Sequence, residues 1–351
     1  MLRLVRNPDL LLCWSGAQLL ISDLSRGTRI RAPANIVAVL DVFGPARGPE
    51  RGTKARDPKG TLSRVARRLR RLGLLLPVAE ARRRPSRLRA WKENLASAFY
   101  HVASRDVRYI QSPTESDIFL RQQVVPRRRP ALFKRYRSRP RVALPIPASS
   151  SKDAAALARI LAARRTVRRF APRPVTLDDL AAVVRGTWGR TGWLDARYLG
   201  RLPTKTSPSA GALHPIECYV LAWNVRGLSP GLYHYDVAGD DLRRLRSGDL
   251  RRRAVRIASG QQWVGRAGFL CVMTAVFGRT LWKYHLENAY RSLWLDAGHL
   301  AQTFCLLATA RGLGPFTTAA IQDSDVERVL ALDGVTEFPL YLCGAGVPAR
   351  T

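Results

Sequence analysis

At 351 residues, 46% hydrophobic and with 8 Trp, the chain is long enough for two domains with real cores and too apolar to be disordered. Its longest apolar runs, such as residues 269–277, fall far short of the roughly 20 residues that cross a bilayer, and the apolar stretch 10–14 has Asp9 beside it and no small-residue cleavage site, so a cytoplasmic protein without membrane contact is expected. Five dispersed cysteines with no Cys-x-x-Cys and no His at ligand spacing argue against a metal site or a disulfide framework, while 59 basic against 26 acidic residues give a net charge of +33 that suits either an acidic partner or an Arg-rich genome.

In chain order, the apolar runs 10–14 and 18–22 flank Ser15-Gly16-Ala17 and read as a hairpin. Residues 28–31 alternate as a third strand. A helix over 35–42 follows Pro33 and ends at Phe43-Gly44-Pro45. Thr61 can cap a second helix with Leu62, Val65, Ala66, Leu69 and Leu72 on one face, which Gly73 stops, and residues 74–77 read as a strand. This order resembles a small winged helix of the PqqD-like peptide-recognition kind, best in RRLRRLGLLLP (residues 67–77). A generic winged helix that binds nucleic acid, and a packing module, are the other readings of the same pattern.

Basic residues crowd the next region: fifteen Lys or Arg against two acids over residues 51–92, and nine with no acid over 121–141. Pro126, Pro130, Pro140, Pro145 and Pro147 lead to Ser149-Ser150-Ser151, a linker composition. The expected division is a winged-helix domain over 1–80, a basic helical linker region over 81–150, and a catalytic domain over 151–351.

Chemistry concentrates after the linker. A helix starting near Asp153 leads to RRTVRRF (164–170), where several guanidiniums beside a hydroxyl offer bidentate donors for a phosphate. Thr176 caps a helix over 177–185. The string TSPSAGALHP (206–215) places small residues where a backbone must come close to a flat ring, and the strand 216–222 follows. RTLWKY (279–284) precedes a helix over 292–311 that contains DAGHLAQ, Gly312-Leu313-Gly314 turns the chain, and residues 338–343 form a core strand.

RRTVRRF, PSAGALHPIECYV, GLYHYD, KY and DAGHLAQTFCLLATARGLG together resemble the SagB/McbC-type branch of the flavin nitroreductases, over about residues 157–346. The resemblance implies an α+β fold: an antiparallel sheet flanked by helices, binding FMN, behind a small winged-helix-like domain. It implies that Arg164, Arg165, Thr166 and Arg168 hold the FMN phosphate and ribityl chain, that Pro208, Ser209, Ala210 and Gly211 lie along the isoalloxazine, and that Gly312, Leu313 and Gly314 approach from the far side. Lys283-Tyr284 stands where azoline-oxidising members carry their catalytic pair. The string departs from the branch at Asp296, usually Glu, and at Thr206, near which an Arg is usual.

Chemistry gives that pair its own support. Oxidising an azoline to an azole removes a hydride and a proton, and a positioned base contributes about 10²–10⁴ in rate. Lys is scarce here, seven residues among the 59 basic ones, so Lys283 is not the default cation. His214 and His299 read as structural. The implied function is FMN-dependent oxidation of a ribosomally made peptide by a homodimer, with a precursor peptide bearing an acidic leader, and a cyclodehydratase complex, as partners. Desaturation of another peptide bond, or NAD(P)H-dependent reduction of nitro compounds or quinones, stays open beside it. So does a nucleic-acid binder whose flavin-like half is not catalytic.

Overall fold

The computed structural model describes residues 4–23, 28–43, 61–83, 91, 94–107, 109–110, 112–125, 151–284 and 288–349. Gly44 and Pro45, the Pro-interrupted basic run after Val125 and the boundary expected near residue 150 lie outside the described residues. The chain forms two compact units: Met1–Asp106 with Ala275–Trp294 and Leu332–Phe338, and Val107–Thr274 with Leu295–Ala331 and Pro339–Thr351.

The first unit opens with β1 (Leu4–Arg6), β2 (Leu10–Ser15), β3 (Gln18–Asp23) and β4 (Thr28–Pro33), the last three forming an antiparallel sheet in the order β2-β3-β4. Ser15 pairs with Gln18, so the hairpin turn has two residues, and Gly16 enters it at φ 62° as primed turns require. Helix α1 (Ile36–Asp41) and helix α2 (Thr61–Arg71) follow, α2 being stopped by Gly73 at φ 79°. Their apolar faces meet the sheet at Ile21, Leu40, Leu69, Leu74 and Leu75. β5 (Leu75–Pro77) pairs antiparallel with β1, a partner about 70 positions away that no local pattern announced.

Helices α3 (Val78–Arg83) and α4 (Leu95–Ser104) complete this stretch. Helix α4 buries Ala98, His101 and Val102, and Trp91, ahead of it, is 3% exposed. Trp91 sits 4.9 Å from Phe277, 5.1 Å from His101 and 5.5 Å from both Tyr290 and Phe338, ring centre to ring centre. Within this box His101 Nε2 faces the Gly334 carbonyl at 3.1 Å. A carbonyl only accepts, so Nε2 carries the proton and Nδ1 accepts the Tyr290 hydroxyl at 3.1 Å.

Burial, helped by nearby Arg105, lowers the His101 pKa to about 3. The unfolded chain takes up a proton below about pH 6.5, which the folded chain refuses until about pH 3. Stability from this residue is therefore complete above pH 6.5 and is lost on acidification, by about 1.4 kcal/mol per pH unit across that window. Denaturant titrations at pH 7 and pH 5 should show that loss in the wild type and a smaller one in His101→Gln.

The elements after this stretch, in chain order, are α5 (Pro113–Phe119), α6 (Lys152–Ala163), β6 (Val175–Thr176), α7 (Leu177–Trp188), β7 (Arg190–Asp195), β8 (Arg201–Lys205), β9 (Ile216–Ala222), β10 (Val225–Arg226), β11 (Gly231–Asp236), β12 (Asp241–Ser247), α8 (Arg251–Ile257), β13 (Phe269–Val276), α9 (Phe277–Lys283), α10 (Ala289–Ala310), β14 (Gly314–Thr318), α11 (Asp323–Leu330) and β15 (Glu337–Gly346). Of these, α9 belongs to the first unit.

Six strands form one sheet in the order β12-β11-β9-β13-β15-β14. The pairs β11–β12, β9–β11 and β14–β15 are antiparallel. Central β13 is buried at every residue but Val276, as a strand covered on both faces must be. Ser151 and Thr176 cap α6 and α7, each accepting a backbone N–H with its hydroxyl at 3.1 Å and 3.0 Å. This α+β layout is the one expected. Among the described residues no helix is long and apolar enough to cross a membrane.

Candidate active site

The loop between β8 and β9 is bent hard. Gly211, Ala212 and His214 have φ of 64°, 58° and 44°, and for the two that are not glycine this backbone costs on the order of 1–3 kcal/mol each. Neighbouring structure must hold it, and one face of α10 does. Asp296, His299 and Thr303 recur there at i, i+3 and i+7. Asp296 accepts the Ser209 hydroxyl at 2.5 Å and the Ala210 N–H at 3.3 Å, and Ser209 Oγ in turn accepts the His214 N–H at 3.0 Å. His299 Nδ1 donates to the Pro208 carbonyl at 3.3 Å, Ser207 and Thr303 share a hydrogen bond of 2.7 Å, and Thr206 donates to the Gly186 carbonyl at 2.7 Å.

Burial raises the Asp296 pKa, opposed by the hydrogen bond from Ser209. Burial first, then the charge of Lys205, lowers the His214 pKa to about 4, so at neutral pH this ring carries no charge. That agrees with its reading as a structural residue.

A second set of elements brings the RRTVRRF and Gly-Leu-Gly strings together. Helix α10 ends with the Leu313 N–H on the Ala308 carbonyl at 2.9 Å and Gly312 at φ 70°. The Val167 N–H donates to Pro315 at 2.9 Å, tying residues 164–168 to the start of β14. A Cβ on Gly314 would stand 2.7 Å from Val167 Cβ and under 3 Å from both its γ-methyls. Val167 is branched at that carbon and cannot swing away. Gly314→Ala should therefore cost about 1–3 kcal/mol, read as a lower thermal midpoint. Gly312, by contrast, has open space around it, and Leu313 is buried, so each member of the turn serves differently.

Arg164 caps the end of α6, Arg165 donates to the Ala162 and Arg164 carbonyls at 2.9 Å and 2.8 Å, and the Arg168 guanidinium lies 5.5 Å over the Trp263 ring. Thr166 is exposed beside them. Among the described residues none of Arg164, Arg165 and Arg168 pairs with a carboxylate, while Arg185, Arg243 and Arg311 do. Guanidiniums left without an anion, next to a hydroxyl, are a donor set that fits a phosphate.

Lys283 and Tyr284 belong to the first unit. Helix α9 buries Phe277, Thr280 and Leu281, spacing i, i+3 and i+4, and presents Trp282 and Lys283 outward. Lys283 Nζ stands 5.3 Å above the Tyr284 ring, within cation–π range. The structure thus joins Pro208, Ser209, Ala210 and Gly211 through α10, joins Arg164, Arg165, Thr166 and Arg168 to Gly312, Leu313 and Gly314, and places Lys283-Tyr284 in the unit it shares with the N-terminal sheet. Sequence reasoning passed over Ser207, Thr303, Trp263 and the holding role of Asp296. The polar stripe 296, 299 and 303 on an otherwise apolar helix was the available signal.

Residues 161–347 match the nitroreductase family. The chain belongs to that family. MJ1384 of Methanocaldococcus jannaschii, named as a nitroreductase, is 30% identical over 187 residues, covering 53% of this chain and 88% of its own. Trifolitoxin operon protein TfxC of Rhizobium leguminosarum bv. trifolii is 25% identical over 284 residues, 78% of either chain, so this likeness reaches well ahead of the nitroreductase domain. A chain of the E. coli microcin synthetase McbBCD complex with truncated pro-MccB17 bound superposes with a TM-score of 0.52 at 20% identity, covering 76% of this chain and 99% of that one, a likeness of fold. These relatives place the chain in the SagB/McbC-type branch of the nitroreductases.

Proposed function

We propose that the protein is an FMN-dependent dehydrogenase that oxidises azolines to azoles in a ribosomally made peptide. The observation that carries the cofactor is the set of Arg164, Arg165 and Arg168 beside Thr166, which pair with no carboxylate among the described residues and are fastened to the glycine turn by Val167. In this reading those side chains hold the phosphate and ribityl chain, and the loop 208–211, which leads into the left-handed bend, offers its backbone to the ring. Bound FMN supplies a hydride acceptor, which dioxygen or another oxidant restores.

The chain's own work is to remove the proton. The azoline ring loses a hydride and, from the neighbouring carbon, a proton, which the Lys283 amine takes while the Tyr284 hydroxyl orients or relays it. Lys283 is exposed in the chain, where a docking substrate can reach it. The likeness to relatives named as trifolitoxin-processing and microcin B17-processing proteins favours the product of such a pathway over a free small molecule as substrate.

The peptide would be recognised by the N-terminal unit, where a groove of about 360 Å³ is lined by Arg6, Pro8, Leu10, Leu12, Val37 and Leu40. An apolar floor beside β2, an edge strand of its sheet among the described residues, in so basic a chain, suits an extended leader with acidic and apolar residues. The working form is a homodimer that cooperates with a cyclodehydratase. Purified protein should be yellow and should release FMN on denaturation at one per chain. A colourless protein that does not bind added FMN contradicts the cofactor. Turnover of quinones or nitro compounds with NAD(P)H, indifferent to any peptide, contradicts the substrate.

A further inference from the structure

We propose that Asp296 is the positioning residue of the flavin loop: its carboxylate clamps Ser209 and Ala210 so that the bend at residues 211–214 exists before any cofactor arrives, and Ser209 serves this clamp instead of donating to the cofactor. What the loop receives rests on the FMN reading above. The clamp does not.

The hydrogen count leaves Ser209 little choice. A serine hydroxyl has one hydrogen, and that of Ser209 goes to Asp296 Oδ2 at 2.5 Å, a charge-assisted bond. The same oxygen accepts the His214 N–H at 3.0 Å. The other carboxylate oxygen takes the Ala210 N–H at 3.3 Å. One carboxylate therefore fixes, directly or through Ser209, the residue ahead of the left-handed stretch, Ala210, and its last member, His214.

Space argues the same way. The pocket lined by Lys205, Ser207, Pro208, Ser209, His214 and Asp296 has about 10 Å³, room for one water, so the carboxylate and the loop stand in close contact. Two flanking contacts from the same helix face, His299 to the Pro208 carbonyl and Thr303 to Ser207, hold the loop's entry. A loop bent in advance loses less freedom on binding, and affinity rises for that reason.

The test pairs FMN titration of flavin-free protein with hydrogen exchange over residues 207–214, also measured without FMN. Asp296→Ala is expected to weaken FMN binding about 10- to 100-fold, the range for losing a charged acceptor, and to speed exchange at the Ala210 and His214 amides. Ser209→Ala should move both readouts the same way, and the double variant should be no worse than the worse single one, because both remove one device. Asp296→Asn keeps an oxygen for Ala210 and should lose less than Asp296→Ala. Should Asp296→Ala fail to fold, Asp296→Asn with Ser209→Ala completes the same cycle. Additive losses, or a loss from Ser209→Ala with none from Asp296, would make Ser209 an independent ligand and overturn the proposal. If the wild type binds no FMN, the proposed function fails by itself. The exchange comparison still decides the clamp, and unchanged rates at Ala210 and His214 refute it.

Discussion

Lys283→Ala is expected to lower peptide turnover by about 10²–10⁴-fold while the protein keeps its full complement of FMN. The split follows from the layout. Lys283 is exposed at the end of α9 and the half-buried Tyr284 follows it, both in the unit formed with the N-terminal sheet, whereas the residues assigned to the phosphate and the ring belong to the other unit. Removing the amine takes away the proton acceptor and leaves those residues untouched. Added small amines should restore part of the rate, because they supply the missing base in solution. Tyr284→Phe should cost less, since it removes a relay and keeps the amine. A yellow colour lost together with the activity would show Lys283 acting in cofactor binding and would remove it from the proton step.

Trp91→Ala is expected to cost about 3–5 kcal/mol, the largest stability loss of any single change considered. The indole is 3% exposed, and its ring meets Phe277, Tyr290, Phe338 and His101. Among the described residues the neighbouring rings already hold one another at centre distances near 6 Å, as Phe277–Tyr290 at 5.8 Å and Phe277–Phe338 at 6.1 Å do, which opposes their moving into the space. Phe277 opens helix α9, so the variant should also loosen the helix that carries Lys283, and turnover should fall more than FMN content. Denaturant titration measures the first effect and single-turnover kinetics the second. A loss under 1 kcal/mol would show that the box repacks freely.

Much of this was legible because it is local. Thr176 announces a helix start through its hydroxyl, Gly73 and Gly312 announce helix ends, and Ser15-Gly16-Ala17 announces a hairpin, whereas Ser151, which caps α6, reads in the sequence only as part of a linker. Of the strings that carried the family resemblance, the structure ties TSPSAGALHP and RRTVRRF to the two ends of DAGHLAQTFCLLATARGLG, while Lys283-Tyr284 belongs to the other unit. What escaped depends on distance along the chain. Asp296 reaches Ser209 across 87 positions, β1 finds β5 about 70 positions on, and Trp91, in a stretch read as a basic linker, packs with residues almost 200 and 250 positions later. A pattern of neighbours records a residue's own conformation, and only the fold records whom it meets.

In the proposed reaction a ring in a peptide is oxidised with bound FMN as acceptor. Its most direct test is to mix the yellow protein, without oxygen, with a peptide carrying a single azoline and to follow flavin absorbance and peptide mass together. The account predicts that the peptide loses two hydrogens as the yellow band bleaches, one ring per flavin. A band that bleaches with NAD(P)H but not with the peptide, whose mass stays unchanged, would contradict it.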